Sequence, residues 1–176
     1  MKKTNRFLML SVLVLSTLVQ AGPDRKGFFL GLGLGGGYMK NPVDKGGAAN
    51  ANFRIGGGIS DDFLLMYEGT AFSSIEDEPR LITYASYVAA QYFIPGTNGF
   101  YIRPGVGMGK IKAEQTAFGT TVSATSDFGL ALKGSAGYEL KFGLFGLGLE
   151  GTYEFMRIEG DNINNFGGAI NGTFYF

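Results

Sequence analysis

The feature that most constrains this chain is an alternation of period two that recurs eight times. Phe28, Leu30, Leu32 and Leu34 take turns with Phe29, Gly31, Gly33 and Gly35. One face is bulky and apolar; the other is mostly bare. Side chains alternate across a strand but wind around a helix every 3.6 residues, so the pattern predicts strand. It returns at Phe53, Ile55 and Ile59, at Phe63, Leu65 and Tyr67, and at Ile82, Tyr84, Val88, Ala90 and Tyr92. Phe100, Ile102, Val106 and Met108 carry it next, then Phe128 through Leu140, Phe145 through Phe155, and Phe166 through Phe176. Each segment is about 9–12 residues, the length at which a tilted strand crosses a bilayer.

Residues 1–21 have the form of a cleaved export signal, leaving 22–176 as the barrel domain. Lys2, Lys3 and Arg6 form a basic start, Phe7 to Val19 an apolar core, and Val19-Gln20-Ala21 a small-residue cleavage site. That core is shorter than the ~20 residues of a spanning helix. Cleavage removes three cations from a chain with 15 Lys+Arg and 15 Asp+Glu, leaving a slightly acidic protein.

The connections alternate in length. Ser60-Asp61-Asp62, Ile94 to Gly99 and Lys141-Phe142-Gly143 predict tight turns. Met39 to Ala48, Ser73 to Leu81, Ala113 to Thr125 and Arg157 to Asn165 predict longer polar loops. Short turns on one side and long loops on the other suit a membrane barrel with periplasmic turns and external loops. The fold expected is an all-β, eight-stranded, antiparallel, up-and-down transmembrane barrel.

A soluble eight-stranded barrel would place the Phe/Leu/Ile face inward and a charged face in water. Here the second face is mainly Gly, Ala, Ser and Thr, so the apolar face is expected to point out, into lipid. The small residues then line a lumen just wide enough for side chains. Aromatics are expected to form two girdles. Phe28, Phe63, Phe100, Phe145 and Phe176 fall near the turn ends; Tyr38, Phe72, Tyr84, Phe128, Phe155 and Phe166 fall near the loop ends. Pro104 lies inside a predicted strand, where it removes a ladder donor, so a bulge or a missing hydrogen bond is expected.

The inward face carries Arg54, Glu68, Arg103, Lys133, Glu139, Glu150 and Glu154. Charges in a narrow lumen must be paired or hydrated. Arg54, Glu68, Arg103, Lys133 and Glu150 fall near mid-strand and predict a lumen charge cluster. This cluster either plugs the lumen or gates a narrow pore for small ions or molecules. The chain has no His and no Cys, which removes the usual activated nucleophiles and argues against an enzyme. Nothing points to a cofactor or a metal, and the charge balance argues against nucleic acid. The acidic Glu76-Asp77-Glu78 reads as a solvated loop, or as a cation bridge to lipopolysaccharide phosphates.

The terminal Asn171-Gly172-Thr173-Phe174-Tyr175-Phe176 is similar to the assembly signal of outer-membrane barrels. Tyr101-Ile102-Arg103-Pro104-Gly105-Val106-Gly107-Met108-Gly109 resembles the aromatic–Pro–Gly–x–Gly strand of the same proteins. The chain therefore resembles the small eight-stranded outer-membrane barrels, of the outer-membrane protein A and X type. The resemblance implies Phe174 and Phe176 as the assembly signal, and the barrel-assembly machinery and periplasmic chaperones as partners. It further implies contact with outer-membrane lipids and lipopolysaccharide, a monomer, and residence in a Gram-negative outer membrane. The roles it implies are a structural or surface one, a narrow pore, or loop-mediated host contact or resistance.

Overall fold

A computed structural model of the chain describes residues 25–41, 45–75, 79–117 and 120–176. The expected leader and the acidic Glu76-Asp77-Glu78 lie outside the described residues. The strands are β1 (Gly27–Lys40), β2 (Lys45–Gly58), β3 (Phe63–Ser74), β4 (Arg80–Phe93), β5 (Phe100–Ala117), β6 (Thr120–Thr125), β7 (Gly129–Phe142), β8 (Phe145–Ile158) and β9 (Asp161–Tyr175). All pairings are antiparallel, and β1 pairs with both β2 and β9, which closes the wall.

Nine segments make eight staves. β5 pairs with β7 from Phe100 to Gly109 and with β6 from Lys112 to Ala117. β6 and β7 therefore share one place in the wall. Ser126 stitches the step between them: its amide donates to the Ile111 carbonyl at 2.9 Å, and its hydroxyl accepts from the Ile111 amide at 3.0 Å.

The closure is staggered. Partners followed around the wall run Leu30, Ile55, Tyr67, Val88, Val106, Leu132, Phe155, Asn164 and back to β1 at Lys40. The path returns ten residues beyond its start. Eight strands with this stagger tilt by about 41° at ordinary strand spacing and rise.

The alternation holds on both faces. Leu32, Leu34, Val88 and Leu149 are 65–71% exposed on the outside, while Arg103 and Glu68 are fully buried inside. Such an apolar exterior is stable only in an apolar solvent, and closure leaves no unpaired edge within the band. Phe28, Tyr38, Tyr84, Phe100, Phe128, Phe145, Phe166 and Phe176 face out as expected. Phe72 does not. It shares the inward parity of Glu68 and Thr70, and packs inside against Met39 and Ala48.

The four polar connections are shorter than expected, because the strands run on past the apolar band. β1 and β2 are joined by residues 41–44, and β8 and β9 by Glu159-Gly160 alone. Both residues of that turn have positive φ, 53° and 94°, as a two-residue hairpin requires. The hydrophobic alternation stops at the band, but the ladder does not need it to continue.

At Pro104 the β4–β5 ladder passes from Ala89↔Gly105 to Tyr92↔Ile102 with no pairing between, and the register is unchanged. A bond is missing, and no bulge forms. The β5–β7 side keeps its pairing, Pro104↔Gly134.

The lumen is layered. At the turn end Phe29, Leu64, Met66, Ala89, Phe93, Tyr101 and Tyr175 form an apolar floor. At the loop end Met156, Ile158, Ile163 and Tyr87 form one apolar cluster, and Met39, Ala48 and Phe72 another. The charged side chains lie between.

Candidate functional site

The middle layer gathers side chains from seven staves. Arg103 of β5 is its hub. Its guanidinium lies 3.2 Å from Glu68 of β3, bonds to Glu150 of β8, and donates to the Gln91 side-chain oxygen of β4 at 2.8 Å. Lys133 of β7 donates to Glu68 at 2.7 Å and stands 4.0 Å from Glu150 and 3.8 Å from Glu154. Two cations thus share three carboxylates. Tyr101 donates to Glu150 at 2.6 Å, and Asn171 reaches the same oxygen at 3.4 Å.

Of the five predicted cluster residues, the structure brings four into one ion-pair network: Glu68, Arg103, Lys133 and Glu150. Arg54 is buried in the same layer and stands opposite Glu68 in the β2–β3 ladder. It bonds instead to the Thr173 hydroxyl, at 3.5 Å. Counting Arg54 and Glu154, the layer holds three cations and three anions. Each charge would cost several kcal/mol if left bare at such burial, and mutual neutralisation removes most of that cost.

Glu139 belongs to a separate site at the turn end. Its carboxylate accepts from Tyr175 at 2.7 Å and pairs with Arg25 at 3.2 Å. Arg25 also lies over the Phe93 ring, 3.8 Å from its centroid.

Inward glycines make these reaches possible. A Cβ on Gly137 would stand 2.6 Å from the Tyr101 hydroxyl. That opening lets Tyr101 of β5 cross β7 to Glu150. Arg54 lies likewise over Gly31, where a Cβ would meet its Nε at 2.9 Å. Small residues line the lumen, and long ones lying across them fill it.

Sequence reasoning did not single out Gln91, Tyr101 or Asn171 as members of the layer, nor Tyr87, whose ring in the loop-end cluster lies 5.8 Å from the Lys133 ammonium. Their inward parity was readable; their partners were not. Tyr101 and Glu150 are 49 residues apart, and Lys133 and Glu68 are 65 apart. Tyr87 was hidden because its neighbour on the outer face is the polar Ser86, which breaks the apolar stripe.

No protein-family model matches the chain, and no curated protein matches it in sequence. Solved structures do resemble it. Neisserial surface protein A aligns with a TM-score of 0.71 at 12% identity, over 85% of this chain and 97% of that one. Ail, the attachment invasion locus protein of Yersinia pestis, aligns at 0.63 and 13% identity, over 85% and 99%. The N-terminal β-barrel domain of Pseudomonas aeruginosa OprF aligns at 0.52 and 11% identity, over 83% and 98%. At these identities the likeness is one of fold.

Proposed function

We propose that this chain, which has the fold of the small eight-stranded outer-membrane barrels, is an integral outer-membrane protein that acts through its wall and rim, its lumen being plugged. The observation that carries this reading is the layering of the interior. A neutralised ionic layer lies between apolar clusters at both ends. An ion crossing the lumen would have to shed water at each apolar layer, which is how hydrophobic constrictions block conduction.

In this reading the turn end faces the periplasm and the long hairpins face outward. Residues 1–21 direct export, and periplasmic chaperones and the assembly machinery receive the chain through Phe174 and Phe176. These two rings lie side by side, centroids 6.0 Å apart, on the lipid side of the turn end. They are therefore accessible on an edge strand before closure. The outward face meets outer-membrane lipids and lipopolysaccharide.

Planar-bilayer recording tests the plug. The wild-type barrel is expected to be silent. Steady conductance that Arg103→Ala and Glu68→Ala alter would establish the narrow pore instead. A small cavity beside Lys133, bounded by Asn50, Thr70 and Glu154, favours that second reading, because the Glu154 oxygen nearest Lys133 pairs with it only at 3.8 Å and accepts no hydrogen bond.

A further inference from the structure

The chain grips the barrel before β1 begins. Two residues ahead of that strand, Arg25 reaches under the turn end of the lumen. Its guanidinium lies over the Phe93 ring, 3.8 Å from the centroid, and its Nε donates to a Glu139 carboxylate oxygen at 3.2 Å. The same oxygen accepts from the Tyr175 hydroxyl at 2.7 Å. The Arg25 amide donates to the Asp61 carboxylate at 3.1 Å. Phe93, Glu139 and Tyr175 are buried, and Arg25 only partly so. Arg25 is therefore the outermost piece of the apolar floor. A guanidinium suits the place, because it stacks on a ring and donates to a carboxylate at once.

The backbone is shaped for this reach. Gly27 has a φ of 94°, which other residues adopt only under strain. A Cβ there would stand 2.6 Å from the Phe176 carbonyl oxygen. Gly58 is its ladder partner, and a Cβ on Gly58 would stand 1.9 Å from the Arg25 carbonyl oxygen. The two bare positions let the chain bend at Gly27 and lie against the end of β2.

The seat is assembled from distant chain. Asp61 lies between β2 and β3, Phe93 ends β4, Glu139 is near the end of β7, and Tyr175 ends β9. Arg25 and Glu139 are 114 residues apart. Contacts so remote form after the chain between them is placed, since its ordering entropy must be met first. Glu139 is steadied by β9, which comes beside β1 only when the wall closes.

We propose that Arg25 is a closing latch. It is a tethered cation that enters its seat after β1 and β9 have paired, holds the closed barrel against reopening, and covers the floor at the turn end. The latch goes beyond the plugged-lumen reading and rests on the closed fold, so it stands whether or not the lumen conducts. A contact made after the folding transition state slows unfolding and leaves the folding rate alone.

The test follows refolding and urea unfolding of the protein in phosphatidylcholine vesicles by heat-modifiable gel mobility. Arg25→Ala is expected to speed unfolding about tenfold, the worth of one charged hydrogen bond, and to leave refolding within about twofold of wild type. Glu139→Gln should act in the same direction, and the double variant should add little to either, because both remove one contact. Arg25→Lys, which keeps the charge and loses the planar fork, should recover only part of the loss. Slowed refolding with unchanged unfolding would place the contact before closure and overturn the latch, as would failure of Arg25→Ala to fold. So would unchanged rates, or two variants whose effects simply add.

A second readout needs no unfolding. The chain has no Cys, so Leu64→Cys in the floor and Ile163→Cys in the loop-end cluster each supply a single buried thiol. In detergent micelles without urea, Arg25→Ala should speed thiol labelling at position 64 by about tenfold and leave position 163 unchanged. Equal acceleration at both, or none at position 64, would overturn the cover. A wild-type barrel that enters no vesicle refutes the membrane reading, and labelling in micelles then decides the latch by itself.

Discussion

The inner and outer walls use the same residue, glycine, for opposite ends. Inside, Gly137 is compelled: a Cβ would stand 2.6 Å from the Tyr101 hydroxyl and 2.5 Å from the Leu149 carbonyl oxygen. Outside, Gly168 is unconstrained, with nothing nearer than 3.8 Å. The inner glycine makes room for the protein's own side chain, and the outer one faces open space. Glycine content alone does not distinguish the two. Parity along the strand does, and so does what a methyl group would meet.

The largest expected effect sharpens the inner half of this contrast. Arg103→Ala leaves Glu68 and Glu150 without their shared guanidinium and should cost about 3–5 kcal/mol. Urea unfolding of the barrel in lipid vesicles would measure it. A loss under about 1 kcal/mol would mean that Lys133 alone holds both carboxylates. Next, Val88→Arg places a charge in the middle of the apolar band, where Val88 is 67% exposed. It should cost about 2–4 kcal/mol in vesicles. A neutral result would break the assignment of outside and inside.

Gly137→Ala should cost about 1–3 kcal/mol, the range for overpacking. Glu150 should also lose its bond from Tyr101, visible as a change in tyrosine fluorescence. Smallest of all, Gly168→Ala should shift stability by less than about 0.5 kcal/mol in the same assay, as open surface positions do. If Gly168→Ala proved as costly as Gly137→Ala, the two-wall contrast would fail.

Much of this was legible in the chain. Period two gave eight staves, and small residues opposite Phe and Leu gave the direction of each face. Pro104 gave a missing bond, though a bulge was equally open. Phe72 lies near a loop yet turns inward, because strand parity and not nearness to the rim decides which face a side chain takes. The loops were overestimated because strand extensions in water need no apolar face, so the hydrophobic signal ends before the hydrogen bonding does. Within the site, inward charges were readable one by one. Their pairing was not: Arg54 faces Glu68 across the ladder, yet Glu68 turns to Arg103 and Lys133. That choice is set by staves far apart in sequence. The outward glycines are not separable from the inner lining by composition; only strand parity and the space beside each tell them apart.

The stagger of ten residues has a last consequence. A row of ladder partners that leaves Leu30, low in the wall, regains β1 at Lys40, beyond the apolar band. Every such row is a thread of a screw, and one turn carries it through both leaflets. The wall thus has no horizontal seam along which one leaflet's half could loosen while the other stays whole. A disturbance passed from neighbour to neighbour changes depth as it travels, so the loop rim and the turn edge are neighbours by way of the sheet.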